Sequence, residues 1–442
     1  MIDERQPTDA RRPTQARQPD DARRPTEARE PADAHRPTEA TPHTPMAPAT
    51  LAVWAGENDS SASRTDLTSN GYGATQVPIV YSAAYGYDDV DTWLDVALGK
   101  KEGHIYSRNT NPTVAVFEEK IRQLEGAAAA TSFSTGMAAI SQTLFALLSP
   151  GDRVVSIKDT YGGTNRLFQE FLPRLNIPVT LCETTDAEQI LAAVAEGCTM
   201  LYLETPTNPT LKIVDIARLA AAAHEVGALV VVDNTFATPM NQHPLALGAD
   251  LVIHSATKFL GGHADALGGA VCGEAALVER IFHYREITGA SLDPMAAYLL
   301  VRGMKTLALR IGRQNESALR IAQWLQTRSA VTAVYYPGLE THPQHEVARR
   351  QMSGYGGVLS FMLSGGFPAV QRVLARLRLA HLAANLGAVE TVAGPPATTS
   401  HVECTAEERA AMGIPEGLIR YSVGIEDPND LIADLEQALS AA

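Results

Sequence analysis

Between Arg153 and His254 the chain alternates short apolar runs with stretches of helical spacing, and this alternation restricts the fold more than any other feature. RVVSI, PVTLC, TMLYLE and ALVVVD read as strands, while GTNRLFQEFLPRL, AEQILAAVAEG and VDIARLAAAAHEVG read as helices. Runs that are apolar throughout belong to sheets covered on both faces. Strands that alternate with helices build a mostly parallel α/β sheet. Such sheets place ligands just past the carboxyl ends of their strands. ALVVVD ends at Asp233, ADLVIHS ends at Ser255, and Lys258 follows within HSATKFLGGHADALGG. An acid at one strand end and a lysine beyond another are therefore expected to face one pocket.

A lysine, a carboxylate and a cluster of hydroxyls together suit pyridoxal 5'-phosphate. That cofactor needs a lysine for its Schiff base and a carboxylate to keep its ring nitrogen protonated. Ser255 and Thr257 offer donors for its phosphate. Two further segments supply phosphate chemistry. The small residues of TSFSTG precede MAAISQTLFALL, which predicts a loop opening into a helix whose free N–H groups bind phosphate. GHIYSRNTNPT carries Arg108, whose fork suits a phosphate, and Tyr106, which adds a phenolic donor.

Composition sets the outer bounds. The 442 residues are 45% hydrophobic, ample for a large core and long enough for two or three domains. A formal net charge of -14 argues against nucleic acid or an anionic membrane as a partner. No run approaches the roughly 18 apolar residues of a membrane span. The N-terminus is charged from Asp3 and shows no signal-peptide core. Cys182, Cys198, Cys272 and Cys404 lack metal-ligand spacing, so no metal site is expected. They read as reduced, buried thiols of a cytoplasmic protein.

Residues 5–40 are six hexapeptides, each with proline third and alanine sixth. Proline at that period forbids a continuous helix, and no apolar face exists to bury, so a disordered tail is expected over 1–49. Asp88, Asp89 and Asp91 read as a solvated turn in preference to a substrate entrance. FEEKIRQLEG predicts a helix stopped near Gly126. Beyond Ala290 a small α+β domain is expected: GMKTLALRIGRQNESALRIAQWLQTR has the spacing of one long helix, and VTAVYYPGL and GGVLSFML read as strands.

SATKFLGGH, VVVDNTFATP, YSRNTNPT, LETPTNPT and GLIRYSVG together resemble the cysteine and methionine metabolism family of pyridoxal-phosphate enzymes, from about Thr50 onward. The resemblance implies the aspartate-aminotransferase-like fold, fold type I: a large domain on a mostly parallel seven-stranded sheet and a smaller C-terminal α+β domain. It divides the chain into the 1–49 tail, an N-terminal arm over 50–99, a cofactor-binding α/β domain over 100–290 and the C-terminal domain over 291–442. It further implies roles. Lys258 carries the cofactor and acts as base, Asp233 faces the ring nitrogen, and Tyr161 stacks on the ring and moves protons. Asn208 lies near the ring's phenolic oxygen, and the amides of Gly136 and Met137 hold the phosphate with Ser255 and Thr257. Tyr106 and Arg108 reach the cofactor of a neighbouring subunit in a homotetramer. Arg420 grips the carboxylate of a small amino-acid substrate. Asn385 stands where the family often has a serine, which leaves an unusual substrate open.

The implied reaction is γ-elimination or γ-replacement on a Cγ-substituted L-amino acid. Gly163 and LGAVET, with Glu390, resemble the cystathionine γ-synthase and γ-lyase branch, whereas GKKEGHIYSRNTNPT resembles the methionine γ-lyase and O-acetylhomoserine sulfhydrylase layout. An aminotransferase shares the lysine and aspartate but not SATKFLGGH or YSRNTNPT. A cofactor-binding regulator needs a basic recognition segment, which the sequence lacks.

Overall fold

In a computed structural model of the protein, residues 46–57, 75–399, 402 and 405–442 are described. The hexapeptide repeats and Cys404 lie outside the described residues. The described part is one unit, Met46–Ala442.

Seven strands form the larger sheet: β1 (Ala129–Phe133), β2 (Val154–Ile157), β3 (Val179–Cys182), β4 (Met200–Glu204), β5 (Leu229–Asp233), β6 (Leu251–Ser255) and β7 (Gly269–Gly273). Their order is β1-β7-β6-β5-β4-β2-β3. From β6 to β3 every pairing is parallel; only β7 runs antiparallel to its two neighbours. The apolar run of β5 shows why. Val231 packs with Ile140 and Leu144 of the helix Gly136–Leu147 on one face. Val230 and Val232 pack with Leu219 and Ala223 of the helix Ile216–Glu225 on the other. All three valines are fully buried, each contributing about 1.5–3 kcal/mol.

The second sheet holds β8 (Val331–Tyr335), β9 (Val358–Leu363), β10 (His381–Leu382), β11 (Val392–Gly394) and β12 (Leu418–Ser422), in the order β10-β11-β12-β9-β8. Its core includes Phe361, Tyr421 and Leu435. Here one expectation needs correction. The helix predicted across GMKTLALRIGRQNESALRIAQWLQTR is two helices, Pro294–Met304 and Leu307–Leu325. The break at Lys305 and Thr306 lets Lys305 reach Glu57 at 2.7 Å.

That contact belongs to a buried anchor for the first described helix, Pro48–Trp54. Lys120 is fully buried, donates to the carbonyls of Ala52 and Val53 at 3.1 and 3.0 Å, and pairs with Glu57 at 3.2 Å. Asp89 caps the helix Val90–Ala97 by accepting from the Thr92 amide, in keeping with its reading as a turn residue. Gly126 ends the helix Pro112–Glu125 with φ 68°, the left-handed value that favours glycine. Among the described residues no helix is long and apolar enough to cross a membrane.

Candidate active site

The carboxyl ends of β4, β5 and β6 open into a cavity of about 220 Å³. Its lining includes Lys258, Asp233, Tyr161, Asn208, Asn385 and Arg420, along with Gly136, Met137, Ser255 and Thr257. Ten residues singled out from sequence are thus gathered at one place, although they are spread across 285 positions of the chain (from 136 to 420).

One end of the cavity is made by a helix start. Thr135 caps the helix Gly136–Leu147, its hydroxyl accepting from the Ala138 amide at 3.0 Å. The amides of Gly136 and Met137 fall in the first turn, where N–H groups have no partner within the helix. Glycine is required at 136: a Cβ there would stand 2.6 Å from the Cβ of Ser255. Ser255 is held by its own amide, which donates to Thr235 Oγ1 at 2.9 Å. The Thr257 hydroxyl already accepts from the Gly268 amide at 3.0 Å, so it braces the glycine-rich turn as well as lining the cavity.

At the cavity floor lies Asp233, 7% exposed. Its Oδ1 accepts from the Thr235 amide at 3.0 Å, which fixes the carboxylate just past the strand. Burial raises its pKa, opposed by the Thr235 hydrogen bonds and the charge of His254. Lys258 donates from Nζ to Asn385 Oδ1 at 3.0 Å. Burial first, and the Arg420 cation second, lower its pKa to about 8. Arg420 is 5% exposed and donates to Asn208 Oδ1 at 3.2 Å and to the Asn385 carbonyl at 3.0 Å. Burial lowers its pKa to about 10, which leaves it cationic at neutral pH. Both of these acceptors are uncharged, so neither bond neutralises the guanidinium.

Tyr161 is 42% exposed and stands at the start of the helix Gly162–Arg166, its ring against the cavity. Its amide donates to Glu204 Oε2 at 2.7 Å. Glu204 was not anticipated from sequence, yet it ends TMLYLE as Asp233 ends ALVVVD, and the strand-end argument applies to both. Thr235 was also missed; its signal is the Asp-x-Thr spacing of a turn closed on an aspartate side chain.

Tyr106 and Arg108 do not line this cavity. Tyr106 is 46% exposed, the Arg108 guanidinium lies 5.6 Å from its ring centroid, and Arg108 Nη1 donates to the Glu286 carbonyl. Of the cysteines, Cys182 and Cys272 are buried and Cys198 partly so; all three are unpaired.

The donor set fits pyridoxal phosphate. A helix start with two hydroxyls would suit its phosphate, a buried carboxylate its ring nitrogen, and an amine of lowered pKa its aldehyde.

Comparison with known proteins agrees with this chemistry. The sequence profile of the family described as Cys/Met metabolism PLP-dependent enzyme matches residues 59–440. An L-methionine γ-lyase of Fusobacterium nucleatum subsp. polymorphum is 44% identical over 373 residues, 84% of this chain and 94% of its own length. Chloroplastic cystathionine γ-synthase 1 of Arabidopsis thaliana is 41% identical over 392 residues, 88% of this chain and 68% of its own. The crystal structure of cystathionine γ-synthase from Xanthomonas oryzae pv. oryzae, in complex with aminoacrylate and cysteine, superposes with a TM-score of 0.83 at 41% identity. That match covers 90% of this chain and 99% of the other.

Proposed function

Because the chain belongs to the Cys/Met metabolism family of pyridoxal-phosphate-dependent enzymes, we propose that it eliminates or replaces the γ-substituent of a small L-amino acid, with cystathionine γ-synthase or γ-lyase chemistry. The carrying observation is the line Lys258–Asn385–Arg420, which sets a basic amine one residue away from a carboxylate-binding fork. When bound, pyridoxal phosphate supplies the sink for the electron pair left at Cα.

This chain's residues do the rest. Gly136, Met137, Ser255 and Thr257 hold the phosphate, and Asp233 keeps the ring nitrogen protonated. Tyr161 and Asn208 line the same cavity and would contact the cofactor ring when it is bound. Arg420 takes the substrate carboxylate by exchanging its bonds to Asn208 and Asn385 for a bidentate pair. Lys258, unprotonated in part near neutral pH, removes the Cα proton and, having passed it on, a proton from Cβ, whose electron pair expels the Cγ substituent. Tyr161 passes a proton to the departing Cγ group. Water then yields a 2-oxo acid and ammonia, or a thiol adds at Cγ.

Gly163 and LGAVET favour the cystathionine branch. The GKKEGHIYSRNTNPT layout favours a second reading, an O-acetylhomoserine sulfhydrylase or methionine γ-lyase, and Asn385 leaves room for a specialised substrate. A panel separates them: cystathionine, O-succinyl-, O-acetyl- and O-phosphohomoserine, and methionine, each with and without cysteine. Thioether formation identifies a synthase and 2-oxobutanoate a lyase. Failure of every substrate to give either product rejects the proposal.

The proposal extends to assembly. Tyr106 and Arg108 are exposed and outside their own cavity, which supports their use in a partner's cavity within a homotetramer. Unpaired cysteines support a cytoplasmic location.

A further inference from the structure

Asp233 is not the only carboxylate at the cavity floor. Glu204 ends the neighbouring strand, pairs with Asp233 in the β4–β5 register, and is itself 5% exposed. A buried acid beside a second buried acid is costly unless donors compensate it. Burial, and then the charge of Asp233, push the Glu204 carboxyl well above the usual range. Against that stand two backbone amides, those of Tyr161 and Asn208. These amides belong to the two loops that deliver the aromatic cover and the asparagine bonded to Arg420.

We infer that Glu204 is a positioning residue that ties the Tyr161 loop to the Asn208 loop and so fixes where the Tyr161 ring lies over the cavity. The geometry is specific. β2 and β4 are adjacent and parallel, so the segments leaving their ends run side by side with no backbone ladder between them. A single side chain at the end of β4 spans the gap, at 2.7 Å to the Tyr161 amide. The Tyr161 ring is itself 42% exposed. Its placement therefore leans on its own backbone, which Glu204 holds at the amide while the Asn165 amide donates to the Tyr161 carbonyl at 2.9 Å.

The inference rests on the cavity being the cofactor and substrate site. The test uses holoenzyme reconstituted with pyridoxal phosphate, comparing wild type, Glu204→Gln and Glu204→Ala. Glutamine keeps one acceptor oxygen and turns an amide N–H₂ toward the second donor; alanine removes both acceptors. The induced circular dichroism of the cofactor's visible band reports the ring environment without turnover. We expect a graded loss of that signal, with kcat falling about tenfold in Glu204→Gln and on the order of a hundredfold in Glu204→Ala. KM should move less than kcat, because Arg420 remains. In a Tyr161→Ala background Glu204→Gln should add little, since the two act as one unit. Wild-type dichroism and kcat in Glu204→Gln overturn the inference, as does full additivity with Tyr161→Ala. An unmodified protein that takes up pyridoxal phosphate without a visible band overturns the cavity reading and this inference with it.

Discussion

Lys258 gives the sharpest statement at the scale of a single residue. Burial first, and the Arg420 cation second, bring the pKa of its amine down to about 8. Once substrate has released it from the cofactor, a charged amine cannot take a proton, so kcat should rise as pH passes upward through about 8. A profile that falls over that range contradicts Lys258 as the base. Lys258→Ala should lower turnover by at least about a thousandfold and abolish borohydride trapping of the cofactor on the protein. Gly163 makes a second case. A Cβ built there stands 2.8 Å from Met137 Sδ and 3.1 Å from Tyr161 Cε1. Gly163→Cys therefore overpacks the cavity wall and should cost about 1–3 kcal/mol, read as a lowered Tm. An unchanged Tm would mean that Met137 yields without strain. Asp233 and Lys258 were legible from sequence because strand ends announce themselves by a run of valines stopping at a polar group. Glu204 carries the same mark, but its run contains Tyr202, and a glutamate ending a strand is a weaker signal when no lysine follows.

Elements obey the same logic with different failures. Strands β2, β4, β5 and β6 were readable because both faces are buried and the residues are mostly large and apolar, and β3, at the sheet edge and only partly buried, from its short apolar run. β1, AATSF, and β7, GAVCG, were not, since small residues carry little periodic hydrophobicity. They are small for a reason: a Cβ at Gly269 would stand 2.2 Å from the Thr135 carbonyl, where the sheet edge meets the phosphate-end helix. That helix supports a prediction of its own. Thr135→Ala removes the cap and should cost about 1 kcal/mol in thermal unfolding. It should also weaken retention of the cofactor during dialysis, because the cap orients the amides that follow. Retention equal to wild type would show that the first turn stands without it. The break at Lys305 was hidden in a sequence of good helical spacing because the contact it permits, with Glu57, lies 248 positions away (305 less 57).

For the whole molecule, the proposed sharing of cavities gives a complementation test. Lys258→Ala spoils a subunit's own cavity; Arg108→Ala should spoil its partner's. Either variant alone should be inactive or nearly so. Mixed after dissociation and reassembly, they should regain about a quarter of wild-type activity, because a hybrid pair carries both lesions in one cavity and leaves the other intact. No regain would place Arg108 in the service of its own subunit. One further consequence concerns which guests the cleft admits. Lys258 and Asp233 are carried on the larger sheet, Arg420 and Asn385 on the smaller sheet and its loop, and the 3.0 Å bond from Lys258 to Asn385 joins the two frames. The gap works as a caliper whose jaws are backbone. Swapping Asn385 cuts that one link, but the spacing of Lys258 from Arg420 stays set by the two sheets that carry them.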